Sequence, residues 1–317
     1  MLSPGQIAEF EATGVLVVPD VLPPKVLDAV RAEYRGLMDE LYADWHAQGL
    51  VPSPDGMDFW QKLQVSYDAG LDWFQPMDIS LPGDQIRRDT PFHIGPAVFD
   101  MMTCPPLLDV VECLIGPEIT SNPIQHVRLK PPARKAFADE RRAHLVQTAW
   151  HQDQGVTHED ADGTKMITVW LAIEDTDEQN GCLQVIPGKP QMYPHCPKRQ
   201  TCIADGFLDL DKARALPVKA GGAVIFHPLT PHASLDNNSD RFRWSFDIRF
   251  NVTGQPTGRA HFPDFVARSR AHPETELKDW RQSRAMWEDA RTACAGAAHI
   301  PIHAGNPARR SAHSEVP

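Results

Sequence analysis

Long apolar runs are missing from this sequence: no stretch approaches the about 20 residues a membrane-spanning helix needs. The opening Met-Leu-Ser-Pro-Gly-Gln has neither the basic region nor the apolar stretch of a secretory leader. Cysteine is scarce, with six in 317 residues, at 104, 113, 182, 196, 202 and 294, and no Cys-x-x-Cys pair. Thiols scattered this way fit a cytoplasmic chain kept reduced, not a disulfide framework. Cys196, Cys202 and His195 lie close in sequence, but a fourth ligand at zinc-site spacing is missing, so they read as ordinary residues. Basic residues are outnumbered too: 31 Lys and Arg against 42 Asp and Glu leave a net charge of −11. That sign repels phosphate backbones and anionic lipid, which argues against nucleic-acid and membrane partners. It does not exclude a small anion held by a local Arg or Lys. H-E-x-x-H, G-x-S-x-G and G-x-G-x-x-G are all absent, so zinc protease, serine hydrolase and dinucleotide enzyme have no support.

What is there is close to the globular average, 42% hydrophobic and 23% charged, which rules out wholesale disorder, collagen and coiled coil. The length suffices for a sizeable core, and the expectation is a single domain over residues 1–317. Ser3, Pro4 and Gln6 mark a helix start that ends at Gly14. Val15–Val18 reads as a buried strand. Val26, Leu27, Val30, Leu37, Met38, Leu41 and Trp45 recur at helical spacing and predict a long amphipathic helix over Pro24–His46. Residues 49–92 read as irregular, rich in aromatics, Gly, Pro and Asp, and form a lid candidate. A helix over Pro105–Leu114 completes a helical part spanning 1–118.

From 119 to 252 the periodicity changes to short apolar runs: Ile124–Leu129, Met166–Ile173, Cys182–Ile186 and Ala223–Phe226. In Arg241–Phe250, Phe242, Trp244, Phe246, Ile248 and Phe250 alternate with Arg241, Arg243, Ser245, Asp247 and Arg249. Strict period two gives one apolar and one charged face. Strands divided by turns, without a helix between each pair, predict an antiparallel sandwich or barrel. A last helix is expected within 253–295, over Pro273–Cys294, and 296–317 reads as a loose tail.

Trp150-His151-Gln152-Asp153 carries the chemistry. On an extended segment residues two apart face the same way, so His151 and Asp153 can hold one ion together. His232, in Thr230-Pro231-His232-Ala233-Ser234, is the distant third ligand. Two imidazoles and one carboxylate leave open positions, which suits Fe(II) that must also bind cosubstrate and oxygen. With 14 histidines in the chain, the same residue types also fit a plain polar surface. Arg243 follows on the polar face of the next strand. If that face lines a barrel interior, the buried guanidinium needs a carboxylate, none is evident nearby, and an incoming dicarboxylate could supply one.

His151-Gln152-Asp153, Trp170, Asn180-Gly181-Cys182-Leu183, Pro187-Gly188, Gly222, Phe226-His227, His232-Ala233-Ser234 and Phe242-Arg243 follow one another in order. This set resembles the phytanoyl-CoA dioxygenase family, a branch of the Fe(II)/2-oxoglutarate oxygenases that also holds ectoine hydroxylases. The likeness is close over about 120–252 and looser over the N-terminal helices. It implies a double-stranded β-helix core, a cupin-like jelly-roll, with flanking helices. It also implies iron on His151, Asp153 and His232, with O2 as the oxidant. Arg243 would bridge to the distal carboxylate of 2-oxoglutarate, Ser234 would add a hydrogen bond, and Lys130 and Trp170 would border the cosubstrate. Related halogenases carry a small residue where Asp153 stands, so its presence points to hydroxylation, or another oxidation without halide, with release of succinate and CO2.

The substrate is expected to be a small polar or zwitterionic molecule. His158, beside Glu159 and Asp160, follows the metal motif and can meet it. In the lid candidate, Trp73 and Phe74 with Phe59 and Trp60 offer an aromatic wall, and Arg87 and Arg88 an anion contact. Each also has a structural reading: a polar turn, or aromatics that pin a loop. Asp247 and Arg249 read as a structural pair on one strand face. Two other classes stay open, a jelly-roll that binds a ligand without turnover and a metal-dependent cupin-type enzyme that does not use 2-oxoglutarate.

Overall fold

The computed structural model describes residues 1–83, 85–133, 148–195, 202–204 and 206–297. Cys196 and nearly all of the expected tail, from 298 on, lie outside the described residues.

The chain enters through α1 (Pro4–Thr13), where Ser3 and Gln6 form the capping box that the sequence predicts. β1 (Val15–Val18) follows, then α2 (Pro24–Ala47), which buries Leu27, Val30, Tyr34, Met38 and Tyr42 along one stripe. Next come α3 (Phe59–Asp68), α4 (Phe74–Met77), α5 (Pro96–Met102) and α6 (Pro105–Ile115). The strands after them are β2 (Glu118–Lys130), β3 (Met166–Ala172), β4 (Leu183–Val185), β5 (Arg214–Leu216), β6 (Ala223–Phe226), β7 (His232–Ser234), β8 (Arg243–Val252) and β9 (Phe265–Ser269). The last described helix, α7 (Trp280–Cys294), is capped by Asp279. Among the described residues no helix is long and apolar enough to cross a membrane.

Six strands form one antiparallel sheet in the order β1-β6-β3-β8-β2-β9, and three form a second in the order β5-β4-β7. Val15, Trp170, Val224 and Phe226 of the large sheet pack with Leu183 and Val185 of the small one, so the two sheets face each other as a jelly-roll. Strand β1 near the N-terminus and β9 beyond residue 252 both belong to the large sheet, so the β core is wider than 119–252.

The alternation along β8 runs opposite to a simple sandwich. Its apolar row, Trp244, Phe246, Ile248 and Phe250, faces outward into a core shared with α2, α3, α5 and α6. Tyr34 of α2 lies 5.1 Å from Trp244 and 5.6 Å from Phe246, centroid to centroid. Burying each such side chain contributes about 1.5–3 kcal/mol relative to exposure, so the helical layer is anchored mainly on this row. The polar row, Arg243, Ser245, Asp247, Arg249 and Asn251, turns into the space between the sheets. The helical layer thus covers the apolar row, and the polar row shares the interior with the apolar residues that join the two sheets.

Segment 49–92 departs from the irregular reading. It contains the ten-residue helix α3, whose N-cap Asp58 and Gln61 form a full capping box. Phe59 stacks on Trp244 at 5.5 Å, and Trp73 and Tyr67 meet Phe242 edge-on at 5.9 and 5.8 Å. Phe59, Leu63, Tyr67, Trp73, Met77, Ile79 and Leu81 all belong to the main core. The aromatics thus cover the outer side of the large sheet.

Candidate active site

His151 lies at the edge of the small sheet, where its backbone exchanges hydrogen bonds with His232, the first residue of β7. Gln152 is extended, so His151 and Asp153 project the same way before the chain turns into the 3-10 segment Asp153–Val156. Gln152 itself clamps the turn: its amide donates to the Gln191 and Leu229 carbonyls and accepts from Tyr193 N–H. At Gly155 an added Cβ would lie 2.3 Å from His195 Nε2, so only glycine admits the His195 ring. That ring nitrogen accepts the Gln152 N–H at 3.3 Å, which fixes the turn carrying the ligands.

The ligand atoms of His151, Asp153 and His232 lie within 4.8 Å of one another. Each imidazole Nε2 is 3.9 Å from Asp153 Oδ1, inside the span of two metal–ligand bonds of about 2.1 Å. His151 Nδ1 meets the Ala149 carbonyl at 2.8 Å, and His232 Nδ1 meets the Thr230 carbonyl at 3.0 Å. A carbonyl only accepts, so each Nδ1 carries the proton and each Nε2 presents its lone pair. Burial, reinforced by the neighbouring His232 ring, lowers His151 to about 4. Burial lowers His232 as well, so both rings are neutral ligands at ordinary pH. Burial acts to raise Asp153, but Arg249 and the two imidazoles outweigh it and hold the carboxyl below its usual range. Two neutral imidazoles and one carboxylate fit a divalent iron ion and leave positions free.

One cavity between the sheets joins the two imidazole ligands to a second cluster. It is lined by Lys130, Thr148, Trp170, Leu183, Phe226, Ser234, Arg243, Arg128 and Asp247 as well as His151 and His232. Arg243 is buried, its guanidinium carbon sits 5.1 Å over the Trp170 ring, and its Nη1 donates to the Gly181 carbonyl at 2.6 Å. Gly181 has φ 81, and a Cβ there would lie 2.6 Å from the Leu235 carbonyl oxygen, so the turn that offers this carbonyl requires glycine. Arg243 Nε has no hydrogen-bond partner, and no carboxylate among the described residues forms an ion pair with this guanidinium. Burial and the nearby Arg128 lower Arg243 to about 9. Lys130 donates to Ser234 Oγ at 2.9 Å and to the Leu235 carbonyl. Burial and Arg243 lower Lys130 to about 7. Ser234 Oγ accepts from Lys130 and from Thr148 N–H, which leaves its own hydrogen for a ligand. Lys130, Ser234, Trp170 and Arg243 therefore line one pocket, whose donors could hold a carboxylate.

The residues expected to meet substrate are placed differently. Trp73 is buried against Phe242 and Phe74, on the outer side of the large sheet. Arg87 is exposed and pairs with Asp89 at 3.0 Å, and Arg88 is exposed beside it. None of the four lines the cavity. His158 precedes the 3-10 turn Glu159–Ala161, 6.2 Å from the His261 ring; its Nε2 is buried without a hydrogen-bond partner, and it too is outside the cavity wall. Two residues given no such role from sequence lie there instead. Arg128 and Asp247 line the cavity, 3.8 Å apart, and Asp247 Oδ1 is buried without a hydrogen-bond partner. The period-two pattern of β8 had put Asp247 on the polar face, but not next to Arg128. Arg249 pairs with Asp153, not with Asp247.

The sequence profile of the phytanoyl-CoA dioxygenase family (PhyH) matches residues 10–245. The peroxisomal phytanoyl-CoA dioxygenase of Bos taurus is 28% identical over 197 residues, 59% of this chain and 54% of that protein. The chain thus spans about half the length of that relative. The Homo sapiens enzyme is 23% identical over 278 residues, 84% of this chain and 72% of that protein. Among solved structures, the non-heme monooxygenase ThoJ has a TM-score of 0.58 at 16% identity, covering 91% of this chain and 97% of its own. The epimerase SnoN, solved with Fe3+, alpha ketoglutarate and nogalamycin RO, has a TM-score of 0.54 at 19% identity, covering 81% and 87%. At such identities these two structures speak for the shared fold alone.

Proposed function

The chain belongs to the phytanoyl-CoA dioxygenase family, and from that premise we propose that it is an Fe(II)- and 2-oxoglutarate-dependent oxygenase that hydroxylates a small molecule, releasing succinate and CO2. The observation that carries this is the meeting of two sites: the His151, Asp153, His232 ligand set, whose two imidazoles line the cavity, and on the same wall the buried Arg243, which has no acidic partner among the described residues. When bound, iron supplies the activation of O2, coupled to oxidative decarboxylation of the 2-oxo acid.

In this reading the chain's residues divide the work simply. The Nε2 atoms of His151 and His232 and one oxygen of Asp153 hold the ion. Arg243, Lys130 and the Ser234 hydroxyl bind the distal carboxylate of 2-oxoglutarate, the guanidinium through a planar charge-assisted contact. Leu183, Phe226 and the Trp170 ring, on the same cavity wall, would keep water from that end. Asp153 fills the position that a halide would need, which supports hydroxylation over halogenation.

The substrate we infer is polar or zwitterionic. Support comes from Arg128 and Asp247, which add opposite charges to the cavity wall beyond those taken up by ion and cosubstrate. They replace Arg87, Arg88, Trp73 and Phe74 in that role. The free thiols of Cys104, Cys113, Cys182 and Cys294 support a reducing, cytoplasmic location. A non-catalytic binding protein would have no use for tautomer-fixed ligands beside an unpaired arginine. An enzyme independent of 2-oxoglutarate would have no use for Arg243 and Lys130 in its core. The deciding experiment is succinate release from the Fe(II)-loaded protein over a metabolite panel, with product mass read out. A gain of one oxygen atom supports hydroxylation, and an unchanged mass with altered stereochemistry rejects it. If no compound couples to succinate release and 2-oxoglutarate does not bind, the whole reading fails.

A further inference from the structure

The carboxylate of Asp153 is gripped from two strands. Arg249, on the inner face of β8, donates through Nη2 to Oδ1. Thr168, on the inner face of β3, donates through Oγ1 to Oδ2. These two donors are direct cross-strand partners in the β3–β8 register, and all three residues are buried. Arg249 lies beyond the family-matched residues, which end at 245.

An ionised carboxylate has about four lone-pair sites, two on each oxygen. One on each is already taken. Oδ1 is the oxygen 3.9 Å from both imidazole Nε2 atoms, so an ion shared by the three ligands uses its remaining lone pair. Oδ2 is tied to Thr168. The imidazoles are each fixed by a carbonyl on Nδ1, whereas a carboxylate alone would swing about its last torsion and could chelate through both oxygens. We propose that Arg249 and Thr168 are positioning residues that restrict Asp153 to one-oxygen ligation, keeping the remaining coordination positions for cosubstrate and oxygen. This rests on the metal reading given above. Hydrogen-bonded partners of ligands commonly tune metal affinity in this way.

A guanidinium beside a metal site has a second effect, simple repulsion of the ion, and the two effects have opposite signs. Positioning makes loss of Arg249 weaken metal binding; repulsion alone makes that loss tighten it. The test uses Co(II) as probe, titrated into the metal-free full chain and followed by calorimetry and by visible absorption, which reports the ligand sphere. Arg249→Met is expected to bind Co(II) about 10–100-fold more weakly. Arg249→Lys, which keeps a donor and the charge, is expected to recover most of the loss. Thr168→Val is expected to change the Co(II) spectrum, because Oδ2 is freed to ligate. Affinity for 2-oxoglutarate at saturating Co(II) is expected to fall in Thr168→Val, where the second oxygen takes a position the cosubstrate needs, and to stay near the wild-type level in Arg249→Lys. Co(II) binding by folded Arg249→Met that equals or exceeds wild type overturns the proposal, even where its melting temperature has fallen. If Arg249→Met does not fold, Thr168→Val decides, and an unchanged spectrum with unchanged affinity overturns it. Failure of the wild-type chain to bind Co(II) at all is a different result: it refutes the metal site itself.

Discussion

Lys130 and Arg243 are directly opposed across β2 and β8, two cations facing the same cavity. Like charges opposite each other destabilise a strand pair. Lys130 is held near 7 by burial and then by Arg243, and Arg243 near 9 by burial and then by Arg128. A dianion entering between them relieves both.

Arg243→Ala should cost 2-oxoglutarate binding about 1.5–3 kcal/mol, the scale of a lost charge-assisted hydrogen bond. Metal affinity should hardly move. Titration of 2-oxoglutarate into the metal-loaded variant, beside a metal titration, separates the two. Equal losses in both would mean that Arg243 supports the fold and not the cosubstrate.

Binding of 2-oxoglutarate should weaken as pH rises through about 7. Lys130 is lowered to about 7. Below that pH it is already charged and greets the dianion; above it the amine is neutral and must take up a proton on binding. Calorimetry in buffers of different ionisation enthalpy should show that uptake at pH 8. Lys130→Met should bind more weakly and lose the slope. A wild-type affinity flat across this range counts against the role of Lys130.

Replacing His151, Asp153 and His232 together by alanine should abolish metal binding while the circular dichroism spectrum stays native, because none of the three belongs to the hydrophobic clusters that hold the sheets and helices. Retained Fe(II) or Co(II) affinity would place the metal elsewhere.

Trp244→Ala should behave in the opposite way. It empties the contact among Tyr34, Phe59 and Trp60 and should cost about 3–5 kcal/mol of stability, measured by urea unfolding. The metal and 2-oxoglutarate affinities of the folded fraction should remain near wild type, since this side chain faces away from the cavity.

Much of this was legible in the residues, and the gaps have physical causes. His151 and Asp153 announce themselves because an extended chain puts residues two apart on one side. The polar row of β8 was equally plain from its alternation. Its direction was not, since only the helical layer over Trp244 and Phe246 shows which face is inside. Helix α3 was hidden by the aromatics around it, although Asp58 and Gln61 spell a capping box and Phe59, Leu63, Ser66 and Tyr67 recur at helical spacing. The partnership of Arg249 with Asp153 joins residues 96 apart in sequence, and nothing local encodes it. Arg128 escaped for the same reason: its meaning comes from Asp247 on the neighbouring strand.

The inverted alternation of β8 also divides the consequences of sequence change by parity. Even-numbered positions from 244 to 250 answer to the helical layer, so a damaging substitution there should lower the amount of folded protein and leave the survivors competent. Odd-numbered positions 243 and 247 answer to the cavity, so a substitution there should cost turnover more than abundance in the molecules that accumulate. A saturation library scored separately for abundance and for turnover should therefore resolve this one strand into two interleaved stripes. Natural drift in the chain would be filtered by two different sieves, one acting on persistence in the cell and one on chemistry, in alternation along a single ten-residue segment.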